Sequence, residues 1–128
     1  MKVATHLAIH PDLVGKVVDL SEGRATCELL TSTEMSADDR GLVHGGFVFG
    51  LADFAAMVAV NDPHVVLGSA EARFVAPVRV GDRVLACATV VEAKGKKRRV
   101  ECVARVGERD VFLATFTALV LDRHVLDT

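Results

Sequence analysis

The residues able to do chemistry crowd into one stretch of the chain. Gly41-Leu42-Val43-His44-Gly45-Gly46-Phe47 leads into an apolar run to Val60 whose one charged residue is Asp53. That run is shorter than the roughly 20 apolar residues a bilayer span needs. It is also too apolar for a helix with one face in water. It reads as a helix buried almost all round, with a carboxylate inside it and two glycines at its start. Burying an ionised carboxylate is costly unless it is paired or hydrogen-bonded, and a buried, perturbed carboxylate is a candidate for function. The helix start supplies the opposite polarity, because its first N–H groups lack partners and its dipole is positive there. Gly45 and Gly46 have no Cβ and let a ligand approach that backbone. A carboxylate and an oxyanion site on one element point to acyl chemistry. Plainer roles stay open at each position. Asp53 could answer a neighbouring helix end or an arginine of another subunit, the glycines could serve close packing, and His44 could cap the turn.

The elements that must position these groups follow from pattern and punctuation. Residues 1–11 show no clear period and suit a short helix or an irregular entry. Leu13 to Leu20 and Arg24 to Thr31 read as strands of a hairpin turning at Ser21-Glu22-Gly23. Ser32 to Arg40 is a polar loop. The helix, from Gly45 to Val60, is stopped by Asn61-Asp62-Pro63, since proline cannot continue it. Strands follow at Val65 to Val75, Val84 to Val91, Arg98 to Val106 and Val111 to Leu121, expected to form a four-stranded meander. Segregated elements argue for an antiparallel α+β fold, with residues 1–128 as one domain. A curved sheet covers such a helix on one side only, and Val84 to Val91 is apolar on both faces. Other copies of the chain are expected to cover the rest.

Composition narrows the function classes. The 128 residues can enclose a core of their own. Hydrophobic residues make up 51% and mean hydropathy is +0.36, yet no run is long enough for a membrane span. With no leader pattern at the N-terminus, the surplus apolar surface is assigned to subunit contacts in a cytoplasmic protein. Lys+Arg 15 against Asp+Glu 17 leaves a net charge of -2, and Trp and Tyr are absent, so nothing favours nucleic acid. Cys27, Cys87 and Cys102 lie scattered in strand-like runs without metal-ligand spacing, and read as buried thiols.

With Asp53 nine positions after His44, the Gly41–Gly46 stretch resembles the hotdog-fold acyl-CoA thioesterases, specifically the PaaI-like group. Phe74-Val75-Ala76-Pro77-Val78-Arg79-Val80-Gly81-Asp82 is similar to that family's aromatic-x-x-Pro-x-x-x-Gly-Asp strand and turn. The resemblance runs from about Leu13 to Leu121. It implies an antiparallel sheet wrapped around one long central helix, and hydrolysis of an acyl-CoA thioester. The helix carboxylate falls on Asp53, which would activate the water or attack directly. The N–H that polarises the carbonyl falls on Gly45, with Gly46 beside it, and losing one such donor typically costs about 3–4 kcal/mol. His44 would hold the turn or contact the thioester. The resemblance also implies that the two halves of a site come from different protomers. Asp53 of one chain would then face His44-Gly45 of its neighbour, in a homodimer or in a homotetramer built from two dimers. One position departs from the pattern. Relatives place an asparagine six residues before the histidine as a donor to the same carbonyl, and here Asp38 stands there. An ionised aspartate cannot donate. Asp38 is therefore protonated, or has another job, or the carbonyl is held by backbone alone. No polar partner for the water is evident after the helix, with Ser69 and Glu71 the candidates.

Lys94, Lys96, Lys97, Arg98 and Arg99 form one basic cluster. It is either a clamp on the phosphates of coenzyme A or a solvated hairpin tip that deters edge pairing. Arg73 and Arg79 flank Pro77 and could reach a pyrophosphate. Met35, Phe47, Phe49, Phe54 and Met57 line an acyl pocket or belong to the core. No metal or redox cofactor is implied; coenzyme A is part of the substrate. Two other functions remain open. One is a hotdog hydratase or dehydratase, although Asn61-Asp62-Pro63-His64 follows the helix and reads more simply as its stop. The other is a non-catalytic acyl-CoA-binding or sensing module. A sensor that regulates DNA would be expected to carry a DNA-reading segment, which the reading does not find here.

Overall fold

The protein was analysed as a computed structural model that describes residues 1–127. Its elements are α1 (Pro11–Val14), β1 (Lys16–Ser21), β2 (Arg24–Leu30), α2 (Gly45–Val60), β3 (Val65–Phe74), β4 (Arg83–Lys94), β5 (Lys97–Val106) and β6 (Arg109–Val120). Short 3-10 turns lie at Thr33–Met35 and Val125–Asp127. Every strand pair is antiparallel, and the six strands form one sheet in the order β1-β2-β4-β5-β6-β3. This is the α+β hotdog arrangement, one long helix against an antiparallel sheet.

The expected helix is correct to the residue. It ends at Asn61, which adopts the left-handed conformation and donates its N–H to the Met57 carbonyl at 2.9 Å. Alternation then builds the core. Ala25, Cys27 and Leu29 of β2, Val84, Ala86 and Ala88 of β4, Val100, Cys102 and Ala104 of β5, and Phe112, Phe116 and Ala118 of β6 are all buried toward α2. The small residues at the middle of β4 let the helix lie close to the sheet. Leu51, Ala52, Ala55, Ala56, Met57 and Val58 fill the helix side of that contact.

Three local expectations change. Leu13 and Val14 belong to α1, not to the first strand. Pro11 opens that short helix and His10 caps it, its Nδ1 accepting from the Asp12 N–H. The four strands after the helix do not form a meander. Only β4, β5 and β6 are consecutive neighbours; β3 pairs with β6 at the sheet edge, while β4 pairs with β2. The chain crosses from β3 to the other side of the sheet through Val75–Asp82. Finally, the polar loop before the helix holds a fully buried residue, Met35, whose carbonyl accepts from the His44 N–H at 2.8 Å. That bond pins the start of α2.

Candidate active site

α2 begins at Gly45 with no side-chain cap. His44 occupies the N-cap position in extended conformation (φ -62°, ψ 129°), where its carbonyl accepts from the Phe47 N–H at 3.1 Å, while its ring makes no capping hydrogen bond. Its ring is exposed and edges onto Phe47, with centroids 6.2 Å apart. Neither the Gly45 nor the Gly46 N–H donates to a backbone carbonyl outside the helix, and helical geometry leaves the first N–H groups free. Two polar donors and the positive helix end are therefore presented outward. The glycines are there for different reasons. A Cβ on Gly45 would lie 3.0 Å from the Phe74 ring, whereas one on Gly46 would meet only the exposed His44 imidazole, at 3.1 Å.

Asp53 lies two turns further along α2. Its Oδ1 is buried without a hydrogen-bond partner, and burial pushes its carboxyl above the ordinary 3.8. In a folded chain a buried polar atom of this kind usually has a partner. Along the same face, Gly50 has nothing within 4 Å of where a Cβ would stand. The helix therefore leaves open space at Gly50, one turn before Asp53, and a carboxyl oxygen without a partner.

Asp38 has a different occupation. Its Oδ1 accepts from the Arg40 N–H at 2.9 Å and the Leu42 N–H at 3.1 Å, bracing the loop that delivers Gly41–His44 to the helix. The same loop is tied to the β3–β4 connection by the Val43 N–H donating to the Val78 carbonyl at 2.9 Å. Arg79 lies beside it, bridged to Leu42. Its backbone N–H donates to Asp82 and its side chain is exposed, with no ion pair among the described residues.

Other expected site residues are placed elsewhere. Phe74 faces α2 but is largely exposed, and its buried cross-strand partner Phe112 holds it in an edge contact of 5.1 Å. By alternation Ser69, Glu71 and Arg73 point to the outer face, opposite Thr117, Thr115 and Leu113. Neither Ser69 nor Glu71 can hold a water beside Asp53 in this chain, and Arg73 does not reach the helix start. The basic cluster forms the β4–β5 tip beside Leu119, whereas Phe74 pairs with Phe112. Seven residues of strand separate them, about 23 Å. Part of the cluster's charge is also engaged. Arg98 Nη1 donates to the Gly95 and Lys97 carbonyls and Lys96 pairs with Asp122 at 3.2 Å, while Lys97 makes no ion pair among the described residues. Met35, Phe54 and Met57 are core; Phe47 and Phe49 are partly buried.

Two features escaped the sequence reading. Asn61 does more than stop the helix: its side chain accepts from the Ala4 N–H at 2.7 Å and donates to the Lys2 carbonyl at 2.9 Å, strapping the N-terminal segment down. On that segment His6 has φ 55°, bonds to Thr5 Oγ1 at 2.8 Å and packs on Phe54. Burial lowers the pKa of His6. No spacing rule marks either residue. Burial pushes the Cys27 and Cys102 thiols up to about 12, away from the reactive thiolate, and Cys87 is half-buried rather than buried.

Several known proteins share this arrangement. An uncharacterized protein of Pyrococcus horikoshii superposes with a TM-score of 0.98 at 50% identity, covering 99% of this chain and 98% of that one. A mutant of the phenylacetic acid degradation protein PaaI of Thermus thermophilus gives 0.78 at 29% identity, over 85% and 95%. Methylthioribose-1-phosphate isomerase of Aquifex aeolicus is 48% identical over 121 residues, 94% of this chain. This chain spans only 26% of that protein's length. Transcription factor FapR of Caldanaerobacter subterraneus is 29% identical over 116 residues, 90% of this chain and 58% of that protein. The family model of the thioesterase superfamily matches residues 40–113, from the residue before Gly41 to Leu113, the residue after Phe112. Helix start, Asp53 and the Phe74 strand all fall inside that match, and the chain belongs to the thioesterase superfamily, in its PaaI-like hotdog group.

Proposed function

We propose that this protein hydrolyses an acyl-CoA thioester to the free acid and coenzyme A, in sites shared between two copies of the chain. The observation that carries the proposal is the unpartnered, buried Oδ1 of Asp53 on the helix whose N-terminus is uncapped. The thioester carbonyl accepts from the Gly45 N–H, with Gly46 next to it. Negative charge developing on that oxygen is met by fixed donors and the positive helix end. Asp53 carboxylate orients a water and takes its proton as the oxygen attacks the carbonyl carbon. The tetrahedral adduct collapses, the C–S bond breaks, and the proton on Asp53 passes to the departing thiolate. His44 stands at the mouth beside Phe47, and Asp38 serves by holding the loop.

An open sheet edge supports such an assembly. β3 ends the sheet with an unpaired ladder ten residues long, and an open edge of this length is normally covered. Two copies joined antiparallel along β3 would carry the basic tip of one toward the Phe74 end of the other. Lys96, Lys97 and Arg98 of one copy, with Arg79 of the other, then hold the coenzyme A phosphates. No helix of the described residues is long and apolar enough to cross a membrane.

A second reading, acyl-CoA binding without turnover, draws support from Asp38. Its carboxylate oxygen is committed to two backbone N–H groups, so no side-chain donor joins Gly45 at the carbonyl. A panel of short, long and aromatic acyl-CoAs, tested with the wild type and Asp53→Asn, separates the two. Turnover lost in the variant supports the hydrolase. Binding without turnover in both proteins supports the second reading.

A further inference from the structure

We infer that the acyl group of the substrate seats in the cavity between the start of α2 and the β3–β4 connection, with Phe74 as the wall that limits its size. The inference rests on the hydrolase reading for its ligand and goes beyond it by naming the acyl class. The cavity measures about 210 Å³ and is lined by Val43, Gly45, Val48, Phe74 and Val78, closed by Ala76, Pro77 and Val111. Gly45 belongs both to this lining and to the uncapped helix start. A carbonyl bonded to its N–H therefore lies next to an apolar hollow already present in the chain, within reach of its alkyl side.

Size and polarity of the hollow define what fits. It is smaller than the roughly 300–1,000 Å³ of pockets for drug-sized ligands. At about 30 Å³ for a water-sized group, it holds about seven such groups. No lining residue carries a polar side chain, so a hydroxyl on the acyl group would be buried unpaired, and a carboxylate would be penalised far more. The matching class is a plain acyl group of up to about seven heavy atoms, aliphatic or a single ring. Phe74 sets the limit. It is 59% exposed although aromatic, is held edge-on by Phe112, and stands where a Cβ on Gly45 would touch it.

The test measures turnover of acetyl-, hexanoyl-, dodecanoyl- and succinyl-CoA by the wild type, Phe74→Ala and Ala76→Leu, and calorimetric binding of the same four to Asp53→Asn. Hexanoyl-CoA is expected to exceed the dodecanoyl and succinyl thioesters by tenfold or more in kcat/KM. Phe74→Ala should narrow the dodecanoyl gap to about threefold by opening the wall. Ala76→Leu should depress hexanoyl while sparing acetyl, and serves if Phe74→Ala fails to fold. Turnover indifferent to chain length and to both substitutions overturns the inference and leaves the hydrolase standing. Hexanoyl preference in binding with no turnover in the wild type does the reverse. Equal binding of all four, or of none, overturns the acyl seat.

Discussion

Asp53 and Gly45 lie on one helix, eight residues apart, which places them about 12 Å from each other along its axis. A carbonyl bonded to the Gly45 N–H is therefore out of reach of a water held by Asp53 of the same chain. The two groups complement each other chemically and cannot cooperate within one copy. In the proposed two-copy site a two-fold pair of helices would resolve this, by setting the middle of one against the start of the other twice over.

Asp53→Asn should separate stability from activity. Burial raises the Asp53 pKa in the folded chain. A raised carboxylate contributes stability that is complete below its unfolded value and lost as pH rises through the folded one. The wild type thus gives up stability from about 3.8 upward, and the variant does not. Near neutral pH the variant should be more stable by about 1 kcal/mol, since it buries an amide in place of an unpaired charge. Turnover should fall by about 10²–10⁴, and the wild-type rate should rise with pH through the Asp53 ionisation. Thermal melts of both proteins across the acid-to-neutral range, beside pH–rate profiles, read both effects.

Gly50 sits inside α2 at a cost of about 1 kcal/mol relative to alanine, with nothing in its own chain close enough to require it. Gly50→Ala should therefore leave the fold intact and strengthen the helix. The space above Gly50 lies one turn before Asp53, so the same variant should weaken subunit association or raise KM. Size-exclusion chromatography and steady-state kinetics distinguish those two consequences, and unaltered values in both would mean that the space is idle.

Gly15 joins α1 to β1 at φ 114°, where a Cβ would lie 2.7 Å from Leu51 Cδ1 and 3.0 Å from the Glu28 carbonyl oxygen. Gly15→Ala combines backbone strain with a clash against the helix, and should cost about 3 kcal/mol. A melting temperature lower by about 10 °C is the expected reading.

The helix and its limits were legible because α2 carries no polar residue but Asp53 before Asn61-Asp62-Pro63, and because proline stops a helix by its own geometry. The helix-start glycines and Asp53 stood out for the same reason, as exceptions within an apolar run. β3 was misplaced because sequence order suggests that consecutive strands pair, whereas α2 spans the sheet and delivers β3 to its far edge. Nothing in the composition of Val65–Phe74 records that partner. Leu13 and Val14 were too few to show a helical period, and α1 is set instead by His10 and Pro11. The sidedness of Arg73 is implicit in its alternation with Phe74, but which face carries the helix start became visible only with the pairing of Phe74 and Phe112. Asp38 shows the other kind of gap. Its type and spacing are plain in the sequence, while its bonds to Arg40 and Leu42 depend on how the loop closes.

The claim that the carboxylate and the oxyanion donors meet across two copies has a direct test by subunit mixing. Asp53→Asn removes one half of the site. Gly45→Pro removes the other, because proline lacks the N–H yet suits the first helical position, His44 already holds the extended ψ of 129° that a following proline requires, and the exposed Phe74 ring, 3.0 Å from a Cβ there, can shift to admit it. Each variant alone should be inactive on acyl-CoA. Unfolded and refolded together in equal amounts, half of the pairs are mixed and each mixed pair holds one intact site, so about a quarter of wild-type turnover should return. A mixture as inactive as its parents, with mixed pairs demonstrated by mass spectrometry, would contradict the shared site.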